Sequence, residues 1–215
     1  MKPSDSVDII RQYFPELNSS QLKKFESLKD LYLDWNAKIN VISRKDTNNF
    51  YTHHVLHSLA IAKVIGFNNE AKILDVGTGG GFPGIPLAIY FQNTSFTLID
   101  SIGKKIKVVK EISDALDLNN VKAYHKRAEE QKDNYDFIIS RAVTHLSKFC
   151  PWISKNIKNQ NNHPIKNGIL YLKGGDINEE LQSVSKQFNA KVHPIKKIYN
   201  EDFFDTKLVL HLASK

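Results

Sequence analysis

The segment Ile73-Leu74-Asp75-Val76-Gly77-Thr78-Gly79-Gly80-Gly81-Phe82-Pro83-Gly84 carries a short β-forming stretch straight into a glycine cluster. The apolar run from Ile85 to Phe91 follows at once. A strand that ends in such a turn and feeds a helix lets a ligand lie against bare backbone, with amide N–H groups turned toward it. About 20 residues on, the apolar run Phe96-Thr97-Leu98-Ile99 ends in Asp100, where an acidic side chain can hold both hydroxyls of a ribose. Together the two signals imply a nucleoside-bearing cofactor in a doubly wound α/β fold.

Outward from this segment the pattern is strand–helix alternation. It predicts strands at 72–76, 96–100, 121–125, 136–140 and 168–173, and helices at 84–91, 102–117, 145–157 and 177–188. Alternating βα units call for a parallel sheet with right-handed crossovers. The end differs: Lys191–Tyr199 and Lys207–Ala213 are strand-like runs with no helix between them, which predicts an antiparallel hairpin at the sheet edge. Residues 158–168, rich in Asn and Lys, read as a mobile loop.

The first seventy residues read as helices. Ser20 is a cap candidate for a segment in which Leu22, Phe25, Leu28, Leu31, Tyr32 and Trp35 recur at spacings of three and four. A second helix is expected from Asp46-Thr47-Asn48-Asn49 to a stop at Gly66. The expected architecture is thus a mostly parallel seven-stranded sheet with an antiparallel C-terminal hairpin. Residues 1–70 form an N-terminal helical extension packed on the cofactor domain of residues 71–215.

Composition bounds the function. The 215 residues, 41% of them hydrophobic, suit a globular α/β core. No apolar run approaches the roughly 20 residues of a membrane span. Cys150 is the only cysteine, so a disulfide framework or Cys-based zinc site within the chain is excluded. Together with an N-terminal Met1–Asp5 stretch that lacks a leader pattern, this predicts a cytoplasmic protein. The net charge of +7 is spread along the chain and rises toward its end, where residues 151–215 carry 10 basic and 6 acidic side chains. A basic surface favours a polyanionic partner such as RNA.

Three chemistries use glycine-rich strand-to-helix turns. A Walker-type phosphate loop needs Gly-Lys-Ser/Thr at its end, and here Gly84 is followed by Ile85-Pro86. The dinucleotide fingerprint fits on Gly79, Gly81 and Gly84, but Pro83 and Pro86 lie where pyrophosphate would need N–H donors. The acidic-x-Gly-x-Gly-x-Gly pattern of S-adenosylmethionine sites is matched in full by Asp75, Gly77, Gly79 and Gly81. A cofactor without phosphates does not miss the proline N–H groups, so a class I, Rossmann-like S-adenosylmethionine methyltransferase is the preferred reading.

The string Leu74–Ala88, with Phe82-Pro83-Gly84-Ile85-Pro86 after the glycine loop, resembles the signature of the bacterial glucose-inhibited division protein B family. Trp35-Asn36-Ala37-Lys38-Ile39-Asn40, His54-Val55-Leu56-His57-Ser58-Leu59, Arg127-Ala128-Glu129-Glu130, Ser140-Arg141-Ala142 and Leu172-Lys173-Gly174 follow in the family's order. The resemblance implies an S-adenosyl-L-methionine-dependent guanine-N7 methyltransferase of small-subunit (16S) ribosomal RNA. One departure is visible: His57 stands where the family more usually has Asp.

The expected cofactor contacts are Gly77, Gly79, Phe82, Asp100, Ala128, Glu129 and Arg141. Asn40, His54, Arg141 and Lys173 are the substrate-side candidates. His53, His54 and His57 are read as solvated or RNA-facing side chains, since no carboxylate one turn on completes a metal set. Guanine N7 carries a lone pair and no proton, so it needs no general base and no catalytic side chain is named. The expected partner is small-subunit RNA or the assembling ribosomal subunit, met by a monomer without metal or membrane. Two alternatives stay open: a methyltransferase of another substrate, and a non-catalytic cofactor- or RNA-binding protein.

Overall fold

Adjacent strand residues such as Ile73 and Leu74, Leu98 and Ile99, or Ile169 and Leu170 point to opposite faces and are all fully buried. A sheet apolar on both faces must be covered on both. In the computed structural model, which describes residues 5–43 and 46–215, it is. The strands are β1 (Lys72–Val76), β2 (Ser95–Asp100), β3 (Val121–His125), β4 (Phe137–Arg141), β5 (Gly168–Gly174), β6 (Phe188–Pro194) and β7 (Lys207–Ser214). Their order is β3-β2-β1-β4-β5-β7-β6. The first five run parallel, and β7 lies antiparallel between β5 and β6. The order reverses between β1 and β4, the switch point beside which open α/β sheets place their ligands.

One face is covered by α1 (Asp8–Tyr13), α2 (Ser19–Asn36), α3 (His57–Leu59), α4 (Gly84–Tyr90) and α5 (Gly103–Ala115). Among the described residues, the other face carries only α6 (Leu146–Ile153) and α7 (Asn178–Val184). The β3–β4 connection contributes just one turn, Ala128–Glu130, so among the described residues no helix crosses β2 and β3 on that side.

Several boundaries differ from the sequence expectation. The cap of α2 is Asn18, not Ser20: its Oδ1 accepts from Gln21 N at 2.9 Å while Gln21 Oε1 accepts from Asn18 N at 3.0 Å. The second N-terminal helix is not uniform. It is π-helical over Tyr51–Leu56, α-helical through α3, and tightens over Ala60–Lys63. The helix expected at 145–157 stops being α-helical at Ile153. Buried Asn156 donates to the carbonyls of Gln131 and Asp133 and pins the chain there. The helix expected to reach 188 ends at Val184, and the last hairpin starts earlier, at Phe188. Pro194 closes β6, since proline cannot extend a ladder. Residues 158–168 are structured by side-chain amides: Asn167 donates to the carbonyls of Lys158 and Gln160, and Asn161 accepts from Asn167 N.

Candidate cofactor and substrate site

Asp75, on β1, organises the glycine loop from below. It is fully buried, and its Oδ2 accepts from Thr78 Oγ1 at 2.6 Å and from Gly84 N at 2.9 Å. Both ends of the turn are thereby fastened to one oxygen. A Cβ on Gly84 would lie 2.7 Å from that oxygen and 2.8 Å from Leu98 Cγ, so only glycine lets α4 start so close to the sheet. Asp75 Oδ1 is buried without a partner, and burial pushes the carboxyl up to about 7.

The upper side of the loop is held by residues remote in sequence. Tyr32, on α2, donates its hydroxyl to Gly80 O at 2.6 Å. Val143 reaches over Gly77, whose φ of +66° and lack of a side chain make room for it; a Cβ there would meet Val143 Cγ2 at 2.5 Å. Beside Gly79 a Cβ would meet nothing within 4 Å. The loop therefore presents open, unobstructed backbone at its centre.

Asp100 ends β2 and turns back to this loop. Its Oδ2 accepts from Gly79 N at 2.9 Å and its Oδ1 from Ile102 N at 2.8 Å, which fixes the carboxylate with a second lone pair left on each oxygen. Past the end of β3 come buried Ala128 and exposed Glu129, whose carbonyl accepts from Lys155 Nζ at 3.0 Å. Phe82 is only 3% exposed, with its ring 4.8 Å from that of Tyr32 and 5.1 Å from that of His54.

Arg141 closes the site from β4. Its guanidinium lies 5.0 Å over the Phe82 ring, and it donates to His53 O at 3.2 Å and His54 Nδ1 at 3.0 Å. A guanidinium only donates, so Nδ1 of His54 is the acceptor and the proton of the neutral ring sits on Nε2. Burial, reinforced by Arg141, lowers the His54 pKa to about 3 and keeps the ring neutral. Burial likewise brings Arg141 down to about 10.

The histidines depart from the reading of them as solvated. His54 and His57 are buried, because the helical segment packs them against Phe82, Phe203 and Phe204 rather than turning them outward. Only His53 keeps partial exposure, stacked on Phe203 and bonded to Asp46 at 3.0 Å. Among the described residues no cluster of three His, Cys, Asp or Glu side chains is placed to hold a metal ion.

Of the substrate-side candidates, Asn40 is exposed on the turn after α2. Asn36 shapes that turn, accepting from the backbone of Val41 and Ile42 and donating to Ile42 O. Val41 in turn rests against Gly80. Lys173 is not a free strand-end cation: its Nζ contacts Glu180 at 2.7 and 3.0 Å and Thr144 O at 2.9 Å. A cavity of about 280 Å³ joins His57, Arg141, Val143, Lys173 and Lys207. Sequence reasoning missed Tyr32, Val143 and Lys207. Tyr32 sat within an apolar stripe that reads as core, and nothing local marks the other two.

These groups suit the cofactor the glycine pattern implies. The unpartnered, buried Asp75 oxygen matches an ammonium, the bare loop at Gly79 admits a ligand backbone, and oriented Asp100 matches a diol. A sequence model described as GidB: rRNA small subunit methyltransferase G matches residues 21–201. The chain is 57% identical to the ribosomal RNA small subunit methyltransferase G of Flavobacterium psychrophilum, over 97% of this chain and 99% of that one. It is 50% identical to the protein of the same name from Bacteroides thetaiotaomicron, over 95% and 98%. Among solved structures, an S-adenosylmethionine-dependent methyltransferase from Aquifex aeolicus shares the fold, with TM-score 0.54, 18% identity and 72% and 88% coverage. So does a precorrin-6y C5,15-methyltransferase from Geobacter metallireducens, with TM-score 0.57, 8% identity and 82% and 92% coverage. A β1 loop fastened by Asp75, a carboxylate at the end of β2 and full-length likeness to these relatives lead to one assignment: the chain belongs to the rRNA small subunit methyltransferase G family, whose members are S-adenosylmethionine-dependent enzymes.

Proposed function

We propose that this protein transfers a methyl group from S-adenosylmethionine to N7 of a guanine in small-subunit ribosomal RNA. The observation that carries the reading is the convergence of Asp75, the Gly77–Gly81 loop, Asp100 and Arg141 at the switch point of the sheet. Family membership supplies the substrate class.

When bound, the cofactor supplies a methyl group made electrophilic by a sulfonium sulfur. Asp75 Oδ1 would take the ammonium of its methionine part, and Arg141, with its fork of donors, would take the carboxylate. Asp100 would accept from the ribose hydroxyls, while Ala128 and Glu129 would border the adenine. Phe82 and Val143 exclude water around the reacting atoms. Guanine N7 carries its own lone pair and no proton, so the residues around it would need only to hold the base in line with the methyl group, with no proton to move. Asn40, His54 and Lys173 border the approach of the base. Among them His54 stays neutral, with its free N–H on Nε2.

The partner is small-subunit RNA, naked or within the assembling subunit, and the protein acts on it in the cytoplasm as a monomer. Among the described residues no helix is long and apolar enough to cross a membrane. The test incubates the protein with methyl-labelled cofactor and small-subunit RNA from cells lacking the enzyme, comparing naked RNA with assembled subunits. Labelled 7-methylguanosine is the expected product. Label in any other nucleoside, or cofactor binding without transfer, would overturn the assignment.

A further inference from the structure

The second face of the sheet is clothed over β1, β4 and β5 by α6 and α7 and at the end of β2, where Ile99 is buried with Ala128, yet stays open over β3 and the start of β2, at Ser95 and Thr97. The bare part forms a cleft of about 870 Å³. Strand register explains its chemistry. Lys72 pairs with Ser95, Thr97 with Lys122, and Ile99 with Tyr124, so these side chains share one side of the sheet. Four lysines, Lys72, Lys122, Lys126 and Lys158, line the cleft against a single carboxylate, Asp133.

Two of the four cations have partners. Lys158 pairs with Asp136 at 2.8 Å, and Lys126 donates to Gln131 Oε1 at 2.7 Å. The ammonium groups of Lys72 and Lys122 make no hydrogen bond or ion pair among the described residues, and both side chains are exposed. Beside them Tyr124 exposes 49% of its surface, an unusual amount for an aromatic on a sheet face. The cleft runs to His125 and Lys126, a few residues short of Ala128 at the cofactor rim.

An apolar protein helix docked here would strip water from two unpaired ammonium groups, a penalty of several kcal/mol per ion. A polyanion reverses that balance, since each phosphate neutralised by a lysine releases condensed counterions. An exposed tyrosine among lysines also offers a base a stacking surface. We propose that the uncovered β2–β3 face is a second RNA-binding surface, which grips the sugar–phosphate backbone of the substrate RNA away from the target guanine. The inference rests on the reading of this protein as an RNA methyltransferase and adds to it a docking surface outside the methyl-transfer site.

The test uses the full chain carrying Lys72→Thr and Lys122→Thr together, with Lys72→Arg and Lys122→Arg as the charge-retaining control. Threonine suits an exposed strand position, and cofactor titration reports that each variant is folded. Binding to naked small-subunit RNA is expected to weaken roughly 10-fold, and the salt dependence of log K to lose a slope of about 1.4 to 1.8. Cofactor affinity and turnover at saturating RNA stay at the wild-type level, and the arginine pair restores binding. Unchanged RNA affinity and salt slope in a variant that still binds cofactor would overturn the proposal. So would weakened binding confined to protein-containing subunits, which would assign the face to a protein partner. Failure of the wild type to methylate guanine is a separate outcome, and it refutes the enzymatic reading instead.

Discussion

At the scale of single residues, the site is governed by two buried charges, Asp75 and Arg141. The Asp75 carboxyl, ordinarily at 3.8, is held at about 7 by burial, so between those values the folded chain carries one proton more than the unfolded chain. Stability from this group therefore falls as pH rises through that window, and the penalty is complete above pH 7. At about 1.4 kcal/mol per unit it reaches at most ~4 kcal/mol. Asp75→Asn keeps an oxygen for Thr78 and Gly84. Urea denaturation should show the variant gaining stability over wild type from pH 5 to pH 8, while its cofactor affinity drops; a pH-independent difference would refute the burial argument.

Arg141→Ala removes a charged donor from two acceptors, and charged hydrogen bonds contribute about 1.5–3 kcal/mol each. Those two bonds bear on stability; the loss of one further charged contact of this size, to the cofactor, should lower methyl transfer by roughly 10- to 100-fold in a variant that circular dichroism shows to be folded. Because Arg141 helps depress the His54 pKa, that pKa should climb from about 3 in the variant, readable by NMR titration of the ring. An unmoved His54 would show that the guanidinium does not govern the ring. Asp100→Ala should abolish transfer without unfolding the chain, and wild-type turnover would remove Asp100 from the site.

Elements matter because the glycine loop has only one polar side chain of its own, Thr78, to hold it, and that one ties down its lower side. Helix α2 holds the upper side from forty-eight residues away through the Tyr32–Gly80 hydrogen bond. Tyr32→Phe keeps the ring packed on Phe82 and Phe50 and removes only that bond. It should lower stability by about 1 kcal/mol and weaken cofactor binding, since the freed Gly80 carbonyl unties the turn. Chemical denaturation and cofactor titration measure the two effects, and loss of stability alone would detach Tyr32 from the site. The same helix shows what local pattern conveys. Its apolar spacing is visible in Phe25, Leu28 and Tyr32, all buried as expected. The hydroxyl that matters looks like one more core aromatic until β1 and α2 are brought together.

For the whole molecule, the N-terminal helices share one core with the sheet: Phe25 and Leu28 cluster with Phe96, Val109 and Ile112. We propose that residues 1–70 and 71–215 fold as one unit. A fragment of residues 71–215 would expose that apolar face, and circular dichroism should find it without cooperative thermal unfolding. A sharp two-state transition in the fragment would show an independent domain.

What the sequence by itself determined is local: the β1–glycine loop–α4 unit, the strand–helix alternation, and Asp100 at its expected distance. Strand period, helix period and backbone freedom act over a few neighbouring residues, so they can be read without a structure. Tertiary structure alone decided that His54 and His57 are buried, that Lys173 is tied to Glu180, that Arg141 reaches back to the His53 carbonyl, and that β3 with the start of β2 is left open on one face. Those outcomes depend on which surfaces long-range packing covers and which it leaves to solvent. A lysine on an exposed strand and one in an ion pair have the same local sequence signature. Only the neighbours brought by the fold distinguish them.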